Sequence, residues 1–302
     1  MQSELAGSPV EAVRPLRTRP ALYARAFGHF ARSRPIAAFW TVVVLLLILM
    51  AIAAPWISPH DPLKPDFKRV AQEPTSARLL GTDFLGRDQL SRLMWGARVS
   101  LFVSVSATML GVGSGFLWGL VSGYLGGKVD LISQRLLEVI ASVPALILAM
   151  LLAFALGASV WTAIVAIAFT KIVAGTRVIR SVALSVRETP YVDAARSLGA
   201  SPWRVMFIHV APQTFAAFLV LFSAGIGIAI LTEATLGFVG LGVAPPTPTW
   251  GGMLGQAAIN LQPDWWMVAF PGLFITIAVL AFNLAADGLR DVLDPRMRGT
   301  IE

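Results

Sequence analysis

Residues 188–212 read ETPYVDAARSLGASPWRVMFIHVAP and stand between two long apolar stretches of the chain. Thr189 can cap a helix and Pro190 suits its first turn, and the helix formers that follow end at Gly199. A serine and Pro202 open a second helix in the same way. The segment therefore predicts a short helix, a glycine turn and another helix, in a loop between two apolar spans.

The chain as a whole is apolar enough to be a membrane protein. Of its 302 residues, 56% are apolar and 14% charged, against roughly 45 to 50% and roughly 25% in soluble domains. A transmembrane helix needs ~20 apolar residues to cross ~30 Å of hydrocarbon. Residues 139–170 are too long for one crossing, and Gly157-Ala158-Ser159 divides them into two helices. We therefore predict an all-α polytopic membrane protein with six transmembrane helices, in residues 36–59, 99–127, 139–170 (two helices), 205–232 and 265–286.

Positive charge predicts the orientation of these spans. Six arginines lie from Arg14 to Arg34, directly before the first span, and further basic clusters follow the fourth and sixth spans. Cytoplasmic loops are rich in Lys and Arg, so both termini and the 188–212 loop are expected in the cytoplasm. Residues 58–98 must then lie outside despite seven basic and five acidic residues, which a long loop tolerates. A cleaved signal peptide is the alternative for the first span, although its charged leader is long for one.

This threading divides the chain into five parts. They are an Arg-rich cytoplasmic tail (1–35), a first transmembrane helix (36–57), an extracytoplasmic loop (58–97), a five-helix membrane domain (98–287) and a cytoplasmic tail (288–302). Apolar residues from Leu90 to Leu101 recur at helical spacing, which predicts an amphipathic helix at the outer interface. Residues 237–252 are apolar but too rich in Gly and Pro for a helix. They form either an outer surface loop or a re-entrant segment near a pathway.

Two kinds of residue inside the spans are candidate functional positions. Four glycines of the second span share one helix face, where they favour close packing of another helix over a substrate role; they are Gly111, Gly115, Gly119 and Gly123. Lys171 lies within the fourth span and Glu233 at the outer end of the fifth, and charge inside a span is expensive. They line a pathway or a subunit interface, unless they simply reach the membrane surface from a helix end.

The chain offers little for chemistry of its own. It has no cysteine and three histidines far apart, and it contains no GxxxxGK[ST] phosphate loop, no HExxH and no GxSxG. We therefore expect no catalytic residue, no metal and no cofactor in this chain. The excess of 24 basic over 17 acidic residues sets membrane orientation and indicates no nucleic-acid partner. Energy must come from another subunit or from an ion gradient. An ion-coupled carrier is thus an alternative, and a membrane-embedded enzyme a poorer one.

The loop between the fourth and fifth spans resembles the EAA loop of permease subunits of bacterial ABC importers. The resemblance rests on Asp193-Ala194-Ala195, with Gly199 six residues after Asp193 and Pro212 thirteen after Gly199. Asp193 replaces the usual Glu but keeps the carboxylate, and an alanine replaces the usual Leu before the proline. In that family the loop forms the coupling helix, which seats in a groove of the cytoplasmic ATPase subunit. The resemblance implies this role for the five residues named.

Further motifs resemble the second of two paralogous permeases of the dipeptide/oligopeptide subfamily. They are LGTDFLGRD (80–88), VAPP (243–246) with WG (250–251), FNL (282–284), DGLRD (287–291) and LDPR (293–296). The resemblance implies a type I ABC importer permease in the bacterial inner membrane. Its implied partners are a paralogous permease subunit, two cytoplasmic ATPase subunits that hold ATP and Mg²⁺, and an extracytoplasmic substrate-binding protein. Family members carry di- or oligopeptides and related ones carry nickel or glutathione, so the solute stays open.

Overall fold

The computed structural model of the chain describes residues 33–259 and 264–293. The Arg-rich tail before residue 33 and the chain from residue 294 lie outside the described residues. The helices, in chain order, are α1 (Pro35–Ile57), α2 (Gln89–Leu125), α3 (Gly127–Ala141), α4 (Ala145–Leu156), α5 (Val160–Arg187), α6 (Pro190–Ser197), α7 (Ala211–Phe238), α8 (Trp250–Ala258) and α9 (Trp265–Leu293). A helical turn, Pro202–Arg204, and a π-helical stretch, Val205–Val210, lead into α7.

The described helices contain five that are long and apolar enough to cross a membrane. They are α1, α2, α5, α9 and the unit Pro202–Phe238, and a sixth crossing is added if α3 and α4 count as one span. The predicted division at Gly157 is confirmed, because its φ of +82° ends α4 and Ser159 caps α5. The third span beginning at residue 139 was wrong. Residues 139–141 belong to α3, which meets α4 at an angle of 81°.

Pro144 accounts for this bend. Proline lacks the N–H of a helix interior and disfavours helical backbone in the residue before it, so α3 ends and α4 starts afresh. With 12 residues, α4 is ~18 Å long and cannot cross ~30 Å of hydrocarbon alone. Arg180 of α5 holds α3 in place through two hydrogen bonds to Asp130, at 2.5 Å each.

The predicted amphipathic helix is instead the beginning of α2. With 37 residues α2 is ~55 Å long, so it extends beyond the hydrocarbon layer, and the predicted domain boundary at residues 97 and 98 falls inside it. The polar side chains of its first turns do not face the membrane surface. Ser91 and Arg92 are buried, at 0% and 1% exposure, beneath the loop of residues 58–88. Sequence periodicity cannot show that a distant loop covers a polar helix face.

Residues 237–252 are partly helical, which corrects the prediction that they could not sustain a helix. Gly237 and Phe238 complete α7, an irregular loop follows, and Thr249 caps α8 by accepting a hydrogen bond from Gly252 N at 3.0 Å. The indole of Trp250 is fully buried and donates to Leu93 O of α2 at 3.1 Å. The short helix α8 is therefore packed into the bundle, against α2, α7 and α9.

The two ends of the bundle can be told apart by contacts between distant residues. At one end, Arg34 before α1 pairs with Asp291 near the end of α9 at 2.6 Å. At the other, Trp266 at the start of α9 donates to Thr82 O of the 58–88 loop at 3.1 Å. The described ends of the chain therefore lie together, away from the 58–88 loop. The helix α9 also continues to residue 293, past the predicted start of the C-terminal tail at 288.

Candidate functional site

The helix α6 has an inward and an outward face. Val192 is fully buried in a cluster with Val205 and Met206, which precede α7. Ala195 packs partly against the same cluster, whereas Ala194 is exposed. The resemblance treats the two alanines as one surface, but only Ala194 is freely presented to a partner, because successive helix residues point in different directions.

A glycine turn ends α6 as the sequence predicts. Gly199 has φ +81°, and its N–H donates to Arg196 O at 2.9 Å. No atom of the described residues lies within 4 Å of the place where a Cβ would stand, so the left-handed backbone, and not space, requires glycine here. Thr189 occupies the N-cap position but makes no capping bond, since its hydroxyl donates to Val186 O. Ser201 does cap the following turn, accepting from Arg204 N at 3.4 Å.

Pro212 lies in the first turn of α7, where its missing N–H disturbs the helix least. The preceding residues Val205–Val210 form wider, π-helical turns, and Ala211 N donates to Met206 O. Wider turns give the proline ring room that a regular α-helix would deny it. The spacing from Gly199 to Pro212 thus covers one irregular but continuous connection into the membrane helix.

Two side chains anchor α6 to its neighbours. The Tyr191 hydroxyl donates to His209 O of the π-helical stretch at 2.8 Å. The Arg196 guanidinium lies 5.6 Å from the ring centroid of Tyr124, at the end of α2, and also pairs with Asp193 at 3.0 Å. Both members of that ion pair are exposed, so the pair adds little stability. The contacts of Tyr191 and Arg196 therefore connect α6 to α2 and to the stretch that leads into α7.

The outward side of this region exposes large apolar groups. Leu198 is 89% and Trp203 59% exposed, and the indole of Trp203 stacks on Phe207 at 6.2 Å. Exposed apolar groups of this size mark a surface that interacts with another protein or with the membrane. Sequence reasoning identified the alanine pair and missed Leu198 and Trp203. The sequence did contain a signal for this surface, because both are large apolar residues beside a glycine turn in a loop outside the predicted spans.

The four glycines of α2 face α5 at close range. A Cβ on Gly115 would come within 2.9 Å of Thr176 N, and one on Gly123 within 2.8 Å of Arg180 O. Gly111 and Gly119 meet the backbone at Ala168 and Thr176 in the same manner. Such separations leave no room for any side chain on this face.

The two charged candidates lie in different places. Lys171 of α5 is 9% exposed and lines a cavity of about 460 Å³ bordered by α2, α4, α5 and α7. Glu233 is 1% exposed beside Ser100 and Thr249, where α7 meets the start of α8, and it does not line that cavity. The structure therefore places Lys171 on a hollow that opens at the surface of the chain, where the lining residue Ile228 is 60% exposed, and encloses Glu233 in packed protein.

A buried network of charges, unrecognised from the sequence, joins the 58–88 loop to the membrane helices. Asp83 pairs with Arg87 at 2.7 Å and with Arg92 at 3.3 Å. The same two arginines donate to Gln256 Oε1 of α8, at 3.1 and 3.0 Å. Asp88 accepts from the Ser91 hydroxyl at 2.6 Å. The i, i+4 spacing of Asp83 with Arg87 was a local signal, but the contact with residue 256 was not.

Comparison with known proteins identifies the family. The sequence model of one protein family, described as binding-protein-dependent transport system inner membrane component, matches residues 115–299, which is more than half of the chain. The chain belongs to this family. A second model, the N-terminal transmembrane domain of oligopeptide transport permease C, matches residues 25–76 of the permease. The family resemblance of the sequence motifs is thereby confirmed, as is the membrane-spanning α-helical class.

Curated relatives cover most of this permease. It is 38% identical over 268 residues to the probable D,D-dipeptide transport system permease protein DdpC of Escherichia coli, covering 89% of this chain and 90% of the relative. Identity is 40% over 262 residues to the di/tripeptide transport system permease protein DppC of Pseudomonas aeruginosa, covering 84% and 86%. The glutathione transport system permease protein GsiD of Pectobacterium atrosepticum is 39% identical over 256 residues, covering 84% and 85%. Among solved structures, the MetNI methionine ABC transporter in an inward-facing conformation matches 64% of this chain and 94% of its own, with TM-score 0.48 and 16% identity.

Proposed function

We propose that this permease forms half of the membrane pathway of a peptide importer, and that α6 docks on a cytoplasmic ATPase subunit. A paralogous permease would form the other half and an extracytoplasmic binding protein would deliver the peptide. The descriptions of the dipeptide and di/tripeptide relatives support a peptide substrate, and the family description supports a binding protein. ATP and Mg²⁺ would be held by the two ATPase subunits.

The outward surface of the α6 region carries the docking proposal. Ala194 is exposed, and its small side chain lets another protein approach the helix closely. Leu198 is an apolar residue that is 89% exposed and is not packed against the rest of the described chain. Because Val192, Tyr191 and Arg196 tie α6 to its neighbours, a pull on α6 would move α2 and α7 together. Closure of the ATPases could thus rock the permease pair between inward-open and outward-open states.

The proposed orientation places both termini and α6 in the cytoplasm, with the 58–88 loop outside. Basic clusters before α1 and along the α5 to α7 connection support it. The Arg34–Asp291 pair supports placing both termini on the same side, because it holds the start of α1 beside the end of α9.

Ala194→Arg tests the docking proposal without disturbing the chain's own core. Burying an unpaired guanidinium in an ATPase groove costs ~1 to 3 kcal/mol or more, so association should weaken about tenfold or more. The measurements are co-purification of the ATPases with the permease pair, ATP hydrolysis stimulated by the loaded binding protein, and peptide uptake. All three should fall, while the partner permease is retained.

Ala244→Arg is the matched control, since it places the same side chain at an exposed alanine in the loop between α7 and α8. It should leave ATPase association unchanged. Uptake by Ala194→Arg at the wild-type rate, abolished by a protonophore and insensitive to removal of the ATPases, would establish an ion-coupled carrier instead. Uptake of glutathione but of no peptide would reassign the solute and leave the docking proposal intact.

A further inference from the structure

A single charged side chain lines the membrane cavity between α2, α4, α5 and α7. Lys171 is eleven residues from the start of α5, which places it ~16 Å along the helix, near the middle of a ~30 Å hydrocarbon layer. The cavity of about 460 Å³ lies within the range of small-molecule sites. Apart from Lys171 and three threonines, its lining is aliphatic or glycine.

The Lys171 ammonium has no counter-charge within the described part of the chain. No described side chain or carbonyl lies within hydrogen-bond or ion-pair distance of it, and none of the residues lining the cavity is acidic. The side chain is nevertheless more than nine-tenths buried. A cation held in this position is costly unless an anion or a polar ligand accompanies it, so charge inside a membrane domain marks a functional site.

The threonines of the cavity complement the ammonium. The hydroxyls of Thr170, Thr232 and Thr235 each donate to a carbonyl of their own helix, at 2.7 to 2.8 Å. Their hydrogens are therefore used, and their oxygen lone pairs remain available as acceptors. The cavity thus presents one anion-binding group together with acceptors that suit N–H donors.

A second hollow continues this space along α5. It measures about 300 Å³, shares Ala145, Thr170 and Ala174 with the first, and is lined by Arg177. Arg177 lies six residues beyond Lys171 in the direction of α6. A carboxylate leaving Lys171 would therefore meet a second cation on the same route.

We infer that Lys171 binds the terminal carboxylate of a peptide in transit, with the cavity threonines accepting hydrogen bonds from its N–H groups. The inference rests on the proposed peptide substrate and adds a substrate contact inside the membrane. It commits to a carboxylate as the occupant because three observations together favour an anion that moves: an ammonium at the cavity wall with no counter-charge among the described residues, a cavity lining without acids, and a second cation further along α5.

The test compares two substrates in an importer reconstituted with all its subunits in proteoliposomes. Uptake of radiolabelled alanine peptides of two to five residues is measured alongside uptake of the same peptides with a C-terminal amide. Lys171→Met should lower uptake of the free peptides about tenfold or more, the size expected for loss of a charge-assisted hydrogen bond. Uptake of the amides should stay at the wild-type rate for amides, and Lys171→Arg should restore most of the free-peptide uptake.

Comparing each variant with wild type on the same peptide cancels the preference of the binding protein. Lys128→Met, at an exposed lysine of α3, is the matched control and should transport both substrates normally. An equal fall for free and amidated peptides would overturn the site, as would loss of the paralogous permease from the Lys171→Met complex, which would make Lys171 an interface residue. If the wild-type importer took up no peptide, the proposed peptide substrate would be wrong. If the wild type took up peptides normally and Lys171→Met did so equally well, only the proposed Lys171 site would be wrong.

Discussion

The 58–88 loop and the α6 region (residues 188–204) lie at opposite ends of α2 and use charge in opposite ways. In the 58–88 loop, Asp83 and Arg87 are each 7% exposed, and Asp83 pairs with Arg87 and with Arg92. Both arginines in turn donate to Gln256 of α8. In the α6 region, Asp193 and Arg196 pair at 3.0 Å with side chains 63% and 42% exposed. The first set of charges is part of the chain's own core, and the second lies on its surface.

This difference distinguishes a region completed within the chain from one that, in the proposed function, another subunit completes. A buried network is satisfied only when all its members are present, since each lost partner leaves a buried charge unpaired. An exposed pair exchanges water for its partner at almost no gain. The 58–88 loop therefore contributes to the stability of the permease, whereas the α6 region contributes a surface.

The largest effect should come from the sidedness of the two regions. Cysteines placed singly at exposed Ser76 and Ser201 of this cysteine-free chain should react with a membrane-impermeant thiol reagent on opposite sides. In intact cells we expect labelling at position 76 and none at 201, and in inside-out vesicles the reverse. Labelling of both positions from one side would invalidate the comparison altogether.

The next largest effect concerns α2, which connects the two regions. Gly119→Leu should prevent assembly, because a Cβ alone would stand 3.0 Å from Arg180 N and no rotamer of leucine fits against the α5 backbone. The measurement is the yield of permease that co-purifies with its partner subunits. Gly113→Leu is the control on the same helix, since no atom in the described part of the chain lies within 4 Å of a Cβ there. Equal yields from both variants would show that the α2–α5 contact is not required.

A smaller and more quantitative effect separates the two kinds of ion pair. Asp83→Ala leaves Arg87 and Arg92 buried without their carboxylate and should lower the free energy of unfolding by ~3 to 5 kcal/mol. Asp193→Ala should lower it by ~0 to 1 kcal/mol. Thermal unfolding of the purified permease in lipid nanodiscs measures both. Similar losses for the two variants would contradict the distinction between a core network and a surface pair.

Features with local causes could be predicted from the sequence. The helix from Pro190 and its end at Gly199 agree with the structure within a residue or two, because a proline in the first turn and a left-handed glycine act on their own neighbours. The division at Gly157 has the same origin. The apolar spans follow from hydropathy, since the bilayer acts on each segment separately.

Features that depend on distant partners could be found only in the folded chain. The sequence does not show that Gln256 lies beside Arg92. For that reason the spacing of apolar residues predicted an interfacial helix where the structure has the first turns of α2. The sequence also does not show that Ala195 packs inward while Ala194 faces out. The sequence indicated that Lys171 is a costly charge within a span. It could not show the cavity beside Lys171, because that cavity forms only when four helices pack together. Burial is a property of the whole packing arrangement, so the tertiary structure alone decided which charges serve the core and which one faces an open space.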